Sequence, residues 1–395
     1  MRKNMTTSSD PLDQPASGRG AVLSMSLCVA MLIASEFMPV SLLTPIADSL
    51  NASDGQTGQA VSISGFFAVA ASLLVSTAAG RLNRKSVLLT MTGLMLLSLV
   101  MIAAAPNFIV LMIARALLGI SIGGFWSLST AVIMRLVPAD RVSGSLALMF
   151  AGQATAAAFA APVGSYLGEV IGWRGVFWAL VPIVALDLLW QAVALPSLPA
   201  QESQSLGSMW RVLRRPYVSR ALIAVLFTFS GAFAMFTYLR PFLETVSGVG
   251  VQMLSVMLLV LGCAGFIGTF LGGRLTNGHL MALLRYLPLA MAAATLALLG
   301  FGHVLSLVAI LLAVWGAINT ALPISWMGWV TQEVGDAPEA AGGLMVGAIQ
   351  LAILLGATIG GALLDHVGIS ATFICSAILL GVAGAIVGSG RALRA

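Results

Sequence analysis

Charge is what this chain has least of. Only 8% of its 395 residues are charged, and lysine occurs just twice, at Lys3 and Lys85. A soluble globular protein carries roughly 25% charged residues, so a water-facing surface over the whole chain is excluded. The shortage of lysine also excludes a phosphate-binding loop of the G-x-x-x-x-G-K-[ST] type, and with it ATP-driven work by this chain alone. Cysteine is nearly as scarce. Cys28, Cys263 and Cys375 lie far apart within apolar runs, which leaves neither a disulfide framework nor metal-ligand spacing. His279, His303 and His366 stand near the ends of apolar runs with no H-E-x-x-H pattern. No catalytic constellation emerges, so the reading is of a protein that is not an enzyme and needs no metal or cofactor. The net charge of +5 is spread in short clusters rather than a basic stripe, which points to phospholipid headgroups and away from nucleic acid.

What the chain does have is apolar length. Hydrophobic residues make up 59% of it, mean hydropathy is +1.01, and glycine, which lets helices approach closely in lipid, occurs 42 times. About 20 apolar residues cross the hydrocarbon core. That measure predicts an all-α polytopic bundle with twelve spans, near 21–45, 57–80, 86–105, 107–134, 143–168, 174–196, 219–243, 251–273, 281–301, 303–331, 341–365 and 370–390. The first run is too long for a signal peptide, so it reads as a retained span behind a disordered cytoplasmic tail at 1–20. The polar stretch around Gln201–Gln204 makes 197–218 a cytoplasmic linker between six-helix halves at 21–196 and 219–390, with a short tail at 391–395. Counting Lys and Arg on alternate sides puts sixteen of nineteen on the side of the termini. The positive-inside rule then makes both termini cytoplasmic.

The halves echo one another. Gly80-Arg81-Leu82-Asn83 recurs as Gly273-Arg274-Leu275-Thr276-Asn277, an offset of 193. The segment Gly164 to Gly172 recurs as Gly360 to Gly368, an offset of 196, with small residues, a Leu, an acid and the closing Gly in register. Parallel six-span repeats are how many secondary transporters build a central site that opens alternately to two faces.

Charge inside hydrocarbon marks function by default. Glu36 in the first span and Arg115 in the fourth both fall about 12 Å below the outer surface at the helical rise of ~1.5 Å per residue. That shared depth permits an ion pair or an exchange of partners, and burial and a guanidinium act in opposite senses on a carboxyl proton. Asp187, beside Trp190 and Gln191, is a third proton-coupling candidate or a residue that reaches the inner interface. Phe125, Trp126, Gln153, Phe233, Phe236, Tyr238, Asn319, Trp326 and Gln350 fall on spans that would border a central cavity. Aromatic faces stack on planar solutes, and amides supply paired donors and acceptors. Gly119, Gly152, Pro162 and Gly164 form either a gate or a packing kink.

Several of these segments are similar to the major facilitator superfamily, in particular its twelve-span drug/proton antiporter branch. Gly80-Arg81-Leu82-Asn83-Arg84-Lys85 resembles that family's loop between spans two and three, departing from it at Gly80 and Asn83. Arg115-Ala-Leu-Leu-Gly119 with Gly123 and Gly124 resembles the span-four motif, whose arginine is implicated in proton coupling. Pro162-Val-Gly164 with Gly152 resembles the span-five antiporter motif. Glu36-Phe37-Met-Pro39, Gly123-Gly-Phe-Trp126, Phe236-Thr-Tyr238-Leu-Arg240-Pro241, Gly172-Trp173-Arg174 and Leu195-Pro196-Ser-Leu-Pro199 look like the bacterial purine ribonucleoside efflux pumps of that branch. The resemblance implies a monomer in the bacterial inner membrane that exports purine nucleosides such as inosine and guanosine in exchange for protons. Multidrug or sugar efflux, and a non-transporting membrane receptor, stand as the alternatives.

Overall fold

Long apolar runs broken by Gly, Pro and Asn fold into helices alone. The computed structural model describes residues 17–78, 82–199 and 206–394, and among these there is no strand. The helices are α1 (Ser17–Ser41), α2 (Leu43–Leu50), α3 (Asp54–Ala78), α4 (Arg84–Ala103), α5 (Phe108–Leu136), α6 (Ala139–Ala194), α7 (Leu206–Leu213), α8 (Pro216–Thr237), α9 (Leu239–Thr245), α10 (Val251–Phe301), α11 (Leu305–Glu333), α12 (Pro338–His366) and α13 (Ile369–Val387). The tail before residue 17, Gly80-Arg81 and the linker core at 200–205 lie outside the described residues.

Ten described stretches are long and apolar enough to cross a membrane. One of them, Gly144–Ala194, is 51 residues long and holds two of the predicted spans, separated at Gly172, which breaks the helix with φ 72°. The 25-residue α3 supplies the remaining predicted span. In α10 the break falls at His279, with φ −129° and ψ 25°. Short turns are closed by side-chain caps: the Asn83 side chain accepts from Lys85 N at 3.0 Å, and that of Asn107 from Val110 N at 3.0 Å.

Buried apolar side chains gather in two clusters. One is drawn from residues 21 to 198; the other runs from 212 to 393 and takes in Val40, Val61 and Ala161. Close helix packing repeats between them. A Cβ on Gly123 of α5 would land on Ala68 O of α3, and a Cβ on Gly316 of α11 would land on Leu261 O of α10. Both partners are related by the offset of 193 seen in the sequence. At the other offset, Gly172 and Gly368 both adopt positive φ, 72° and 114°, a conformation open to glycine at little cost. The repeat is therefore one of packing and turn geometry as well as of letters.

The start of α1 lies beside Leu136 and Ala194, and Leu393 accepts from Trp329 Nε1 at 2.9 Å, so the described chain begins and ends on one face. Between the halves runs a seam formed by α1, α3 and α6 against α8, α9, α10 and α12. Ser62 Oγ donates to Leu354 O (3.3 Å) and accepts from Thr358 Oγ1 (3.0 Å), while Phe159 meets Phe266 at 6.3 Å. Hydrogen bonds that cross the seam among the described residues join the half of the bundle far from the termini. The far face is closed.

Candidate functional site

The site begins with a missing donor. Pro39 lies within α1 and has no N–H, so the carbonyl of Ser35, four residues earlier, loses its helical partner. Arg115 of α5 supplies one: its Nη1 donates to Ser35 O at 2.8 Å and its Nε to Ala60 O of α3 at 2.9 Å. Ser64 Oγ sits 3.1 Å from Ala60 O and 2.9 Å from Arg115 O, which ties the two helices together. Arg115 is fully buried and its Nη2 has no partner. The same device recurs at the far face, where Pro45 frees Ser41 O and Arg240 Nη1 donates to it.

Glu36 follows Ser35 directly and is 5% exposed. Its carboxylate feels the charge of Arg115 and faces the side-chain amide of Gln350 from α12, across the seam. That amide completes no well-aligned hydrogen bond, since Gln350 Nε2 is buried without a partner. Glu36 and Arg115 form no direct ion pair; the ion pairs recorded among the described residues are Arg215 with Asp336 and Arg240 with Glu244. Arg115 is thus held by backbone carbonyls, and its charge acts on Glu36 across a gap.

Aromatic rings gather at Phe37, the next residue along α1. Phe37 of α1 meets Phe236 of α8 at 5.6 Å and Phe233 at 6.3 Å, and Phe236 stacks on Trp315 of α11 at 6.0 Å with 10° between planes. Trp315 Nε1 is buried without a partner. Phe37 and Trp315 are absent from the sequence-derived candidates. The adjacency of Phe37 to an intramembrane acid was a usable signal, whereas nothing local separates Trp315 from the other seven tryptophans.

The structure brings Glu36, Arg115, Gln350, Phe233 and Phe236 to one region. Trp126, stacked on Phe150 at 5.9 Å, together with Gln153 and Asn319, is half-buried on α5, α6 and α11. Phe125 and Trp326 are enclosed in the interiors of their own halves, Trp326 against Trp329 at 6.2 Å. Tyr238 is also enclosed. Its hydroxyl donates to Ala357 O at 2.6 Å, and its ring fills a socket of Gly58, Gly360 and Gly361. Asp187 is fully buried. Its Oδ2 accepts from Gln191 Nε2 at 2.8 Å, Gln191 Oε1 lies 3.1 Å from Thr92 Oγ1, and Thr92 contacts Cys28 at 3.4 Å. Its Oδ1 has no partner.

The small-residue candidates sit at helix crossings. Cβ atoms on Gly119 and Gly152 would strike Ser64 O and Ser26 O, and one on Gly164 would come within 2.9 Å of Ser41 Oγ. Pro162 lies within α6 and frees Ala158 O, against which Gly262 of α10 packs across the seam. Gly119→Ala is expected to destabilise the protein by about 1–3 kcal/mol through overpacking. The check is the melting temperature of purified protein in detergent, followed by tryptophan fluorescence; an unchanged value refutes the expectation.

Comparison with known proteins agrees with this architecture. The model of the Major Facilitator Superfamily matches residues 25–345. "Transcription regulatory protein OpdE" of Pseudomonas aeruginosa is 46% identical over 383 residues, covering 96% of this chain and 95% of the relative. "Purine ribonucleoside efflux pump NepI" of Escherichia coli K12 is 39% identical over 360 residues, covering 91% of each. Among solved structures, a bacterial homologue of the human lysosomal transporter Spinster, inward-facing and occupied, superimposes with a TM-score of 0.76. It shares 15% identity and covers 96% of this chain and 98% of its own, a likeness of fold alone.

Proposed function

Because the chain belongs to the Major Facilitator Superfamily, as a multi-pass membrane transporter and not an enzyme, we propose that it is a proton-coupled antiporter exporting purine ribonucleosides such as inosine and guanosine. The observation that carries the proposal is the position of Glu36. It is a buried acid at the seam, faced by Gln350 of the other half, with Arg115 locked to the carbonyl next to it. A group so placed senses any relative motion of the halves, because Gln350 moves with one half while Ser35 and Arg115 stay with the other. In the far-face-open arrangement, which the clustering of Lys and Arg on the other side makes periplasmic, Glu36 takes up a proton. Closure carries that proton to the cytoplasmic side, and its release is coupled to solute entering near Phe37, Phe233, Phe236 and Trp315. Planar stacking rings and uncharged donors suit a neutral heteroaromatic solute. The name of the Escherichia coli relative supports the same substrate class. The coupling proton is placed at Glu36, and Asp187 is assigned no separate step. Gly152, Pro162, Gly164 and Gly262 allow α6 to slide on α1 and α10 during closure.

The test is uptake of radiolabelled inosine into inverted membrane vesicles energised by a pH gradient. Protonophore-sensitive accumulation inhibited by guanosine is expected. Accumulation inhibited by unrelated cationic drugs but not by guanosine would replace the nucleoside with a multidrug substrate. The regulatory name of the Pseudomonas relative favours a second reading, a membrane receptor. That reading requires no accumulation of any solute in vesicles that contain the protein and hold the gradient.

A further inference from the structure

The far-face closure contains a group of charges that the coupling step at Glu36 does not use. Asp365, at the end of α12, accepts from Ser53 Oγ at 2.5 Å and from Gly55 N at 3.0 Å. One half of the molecule thereby caps the first turn of α3 in the other, where the helix N-terminus favours a carboxylate. On the same face Thr44 Oγ1 donates to Glu244 Oε2 at 2.7 Å, and Arg240 bonds both Glu244 Oε1 (2.7 Å) and Ser41 O. Asp54, the first residue of α3, stands among these groups. Those acting on it are Asp48 of α2, Glu244 and Arg240 of α9, and Asp365 of α12, with the Tyr238 hydroxyl close by. Four carboxylates face one guanidinium, and that guanidinium is already engaged.

We propose that this cluster is a proton-operated latch on the far face, in which protonation of Asp54 holds the two halves closed and its ionisation loosens them. Closing the seam brings Asp48 and Asp54 of one half against Glu244 and Asp365 of the other, so the closed arrangement adds cross-seam repulsion to that between Asp48 and Asp54. No donor among the described residues bonds the Asp54 side chain to offset it. Burial, then Glu244, Asp48 and Asp365, push the Asp54 carboxyl up to about 6, against the pull of Arg240. With the seam open and Asp54 in water, it titrates near its ordinary value of about 4. The closed state therefore binds the proton more tightly. Acid favours closure, fully below pH ~4, and that preference is lost as pH rises through about 6. Asp54 is partly exposed, so the closed-to-open ratio is expected to change by about three- to tenfold between pH 7.5 and pH 5. Under the orientation proposed above, periplasmic acidity then promotes reclosure after solute release. The latch itself depends only on the seam.

The experiment measures the seam without any solute, so it stands apart from the nucleoside assignment. Spin labels at Ala104→Cys and His303→Cys, two far-face turns in opposite halves, are placed in a Cys263→Ala, Cys375→Ala background in which the remaining Cys28 is buried. Their distance distribution is recorded in lipid nanodiscs from pH 4.5 to 8. The short-distance population is expected to rise below pH ~6.5 in the parent, to stay high and flat in Asp54→Asn, and to keep the parent's curve in His366→Gln. A flat curve in the parent overturns the proposal, as does an unaltered curve in Asp54→Asn. Loss of the curve in His366→Gln, with Asp54 intact, overturns it as well. Should Asp54→Asn fail to fold, Glu244→Gln must lower the midpoint by removing the cross-seam carboxylate that acts most strongly on Asp54; an unmoved midpoint counts against the latch.

Discussion

Glu36→Gln is expected to reduce gradient-driven inosine accumulation in inverted vesicles by roughly 5- to 150-fold, the range spanned by a coupling free energy of ~1–3 kcal/mol between two ligands. Glutamine preserves the volume and the hydrogen-bonding reach toward Gln350 but carries no exchangeable charge. The conformational cycle survives and its link to the proton is cut. Accordingly, exchange of labelled for unlabelled inosine across the membrane, with no pH gradient, should persist in this variant while protonophore-sensitive accumulation disappears. That pairing separates lost coupling from lost folding. Full accumulation in Glu36→Gln vesicles would move the coupling proton to another group.

The second large effect concerns Arg115. Arg115→Ala removes the donor to Ser35 O, which Pro39 leaves without a helical N–H, and strips a buried charge from between α1, α3 and α5. Leaving a buried carbonyl unpaired costs about 1–3 kcal/mol, and loss of the remaining bonds and packing brings the expected destabilisation to about 3 kcal/mol or more. The structure makes a sharper demand. In the Arg115→Ala background, Pro39→Ala restores an N–H that can reach Ser35 O, so the second substitution should recover about 1–2 kcal/mol beyond its effect in the parent. Any general helix-propensity gain from removing proline is common to both backgrounds and cancels in the cycle. Denaturant unfolding of the four proteins in detergent checks this, and strict additivity would sink the claim that Arg115 serves Ser35 O. Arg240 and Pro45 form the analogous pair at the far face, where the arginine belongs to the other half.

Much of the fold was legible because its main signals are local. Span length, the shortage of charge and the break at Gly172 follow from the cost of placing polar backbone and side chains in hydrocarbon, which acts on each segment separately. The offset of 193 that pairs Gly80-Arg81 with Gly273-Arg274 also relates Gly123 on Ala68 to Gly316 on Leu261, so the letters foretold a packing relation. Glu36 and Arg115 were legible for the same reason, as charges where none is cheap. Their relation to each other was not. Similar depth allowed an ion pair, and the structure sets Arg115 on two carbonyls instead, because a proline in one helix creates an acceptor that only a neighbouring helix can fill.

The aromatic candidates divide along the same line. Phe125, Trp326 and Tyr238 have the same composition-level claim on a solute as Phe236 and are buried like it; what sets Phe236 and Trp315 apart is the ring cluster they complete with Phe37, next to Glu36 in the chain. Helical position says which face of a span a ring occupies, but not what that face meets. By itself the sequence determined that this is a twelve-span helical membrane protein with an internal repeat and one acid and one arginine at matching depth. Hydropathy, chirality and glycine conformation are properties of short segments. Only the tertiary structure decided that Gln350 faces Glu36, that Tyr238 seals a glycine socket, and that Asp54 and Asp365 meet across the far face. Each of those depends on how two halves, separated by nearly two hundred residues, are pressed together, and no local preference encodes that arrangement.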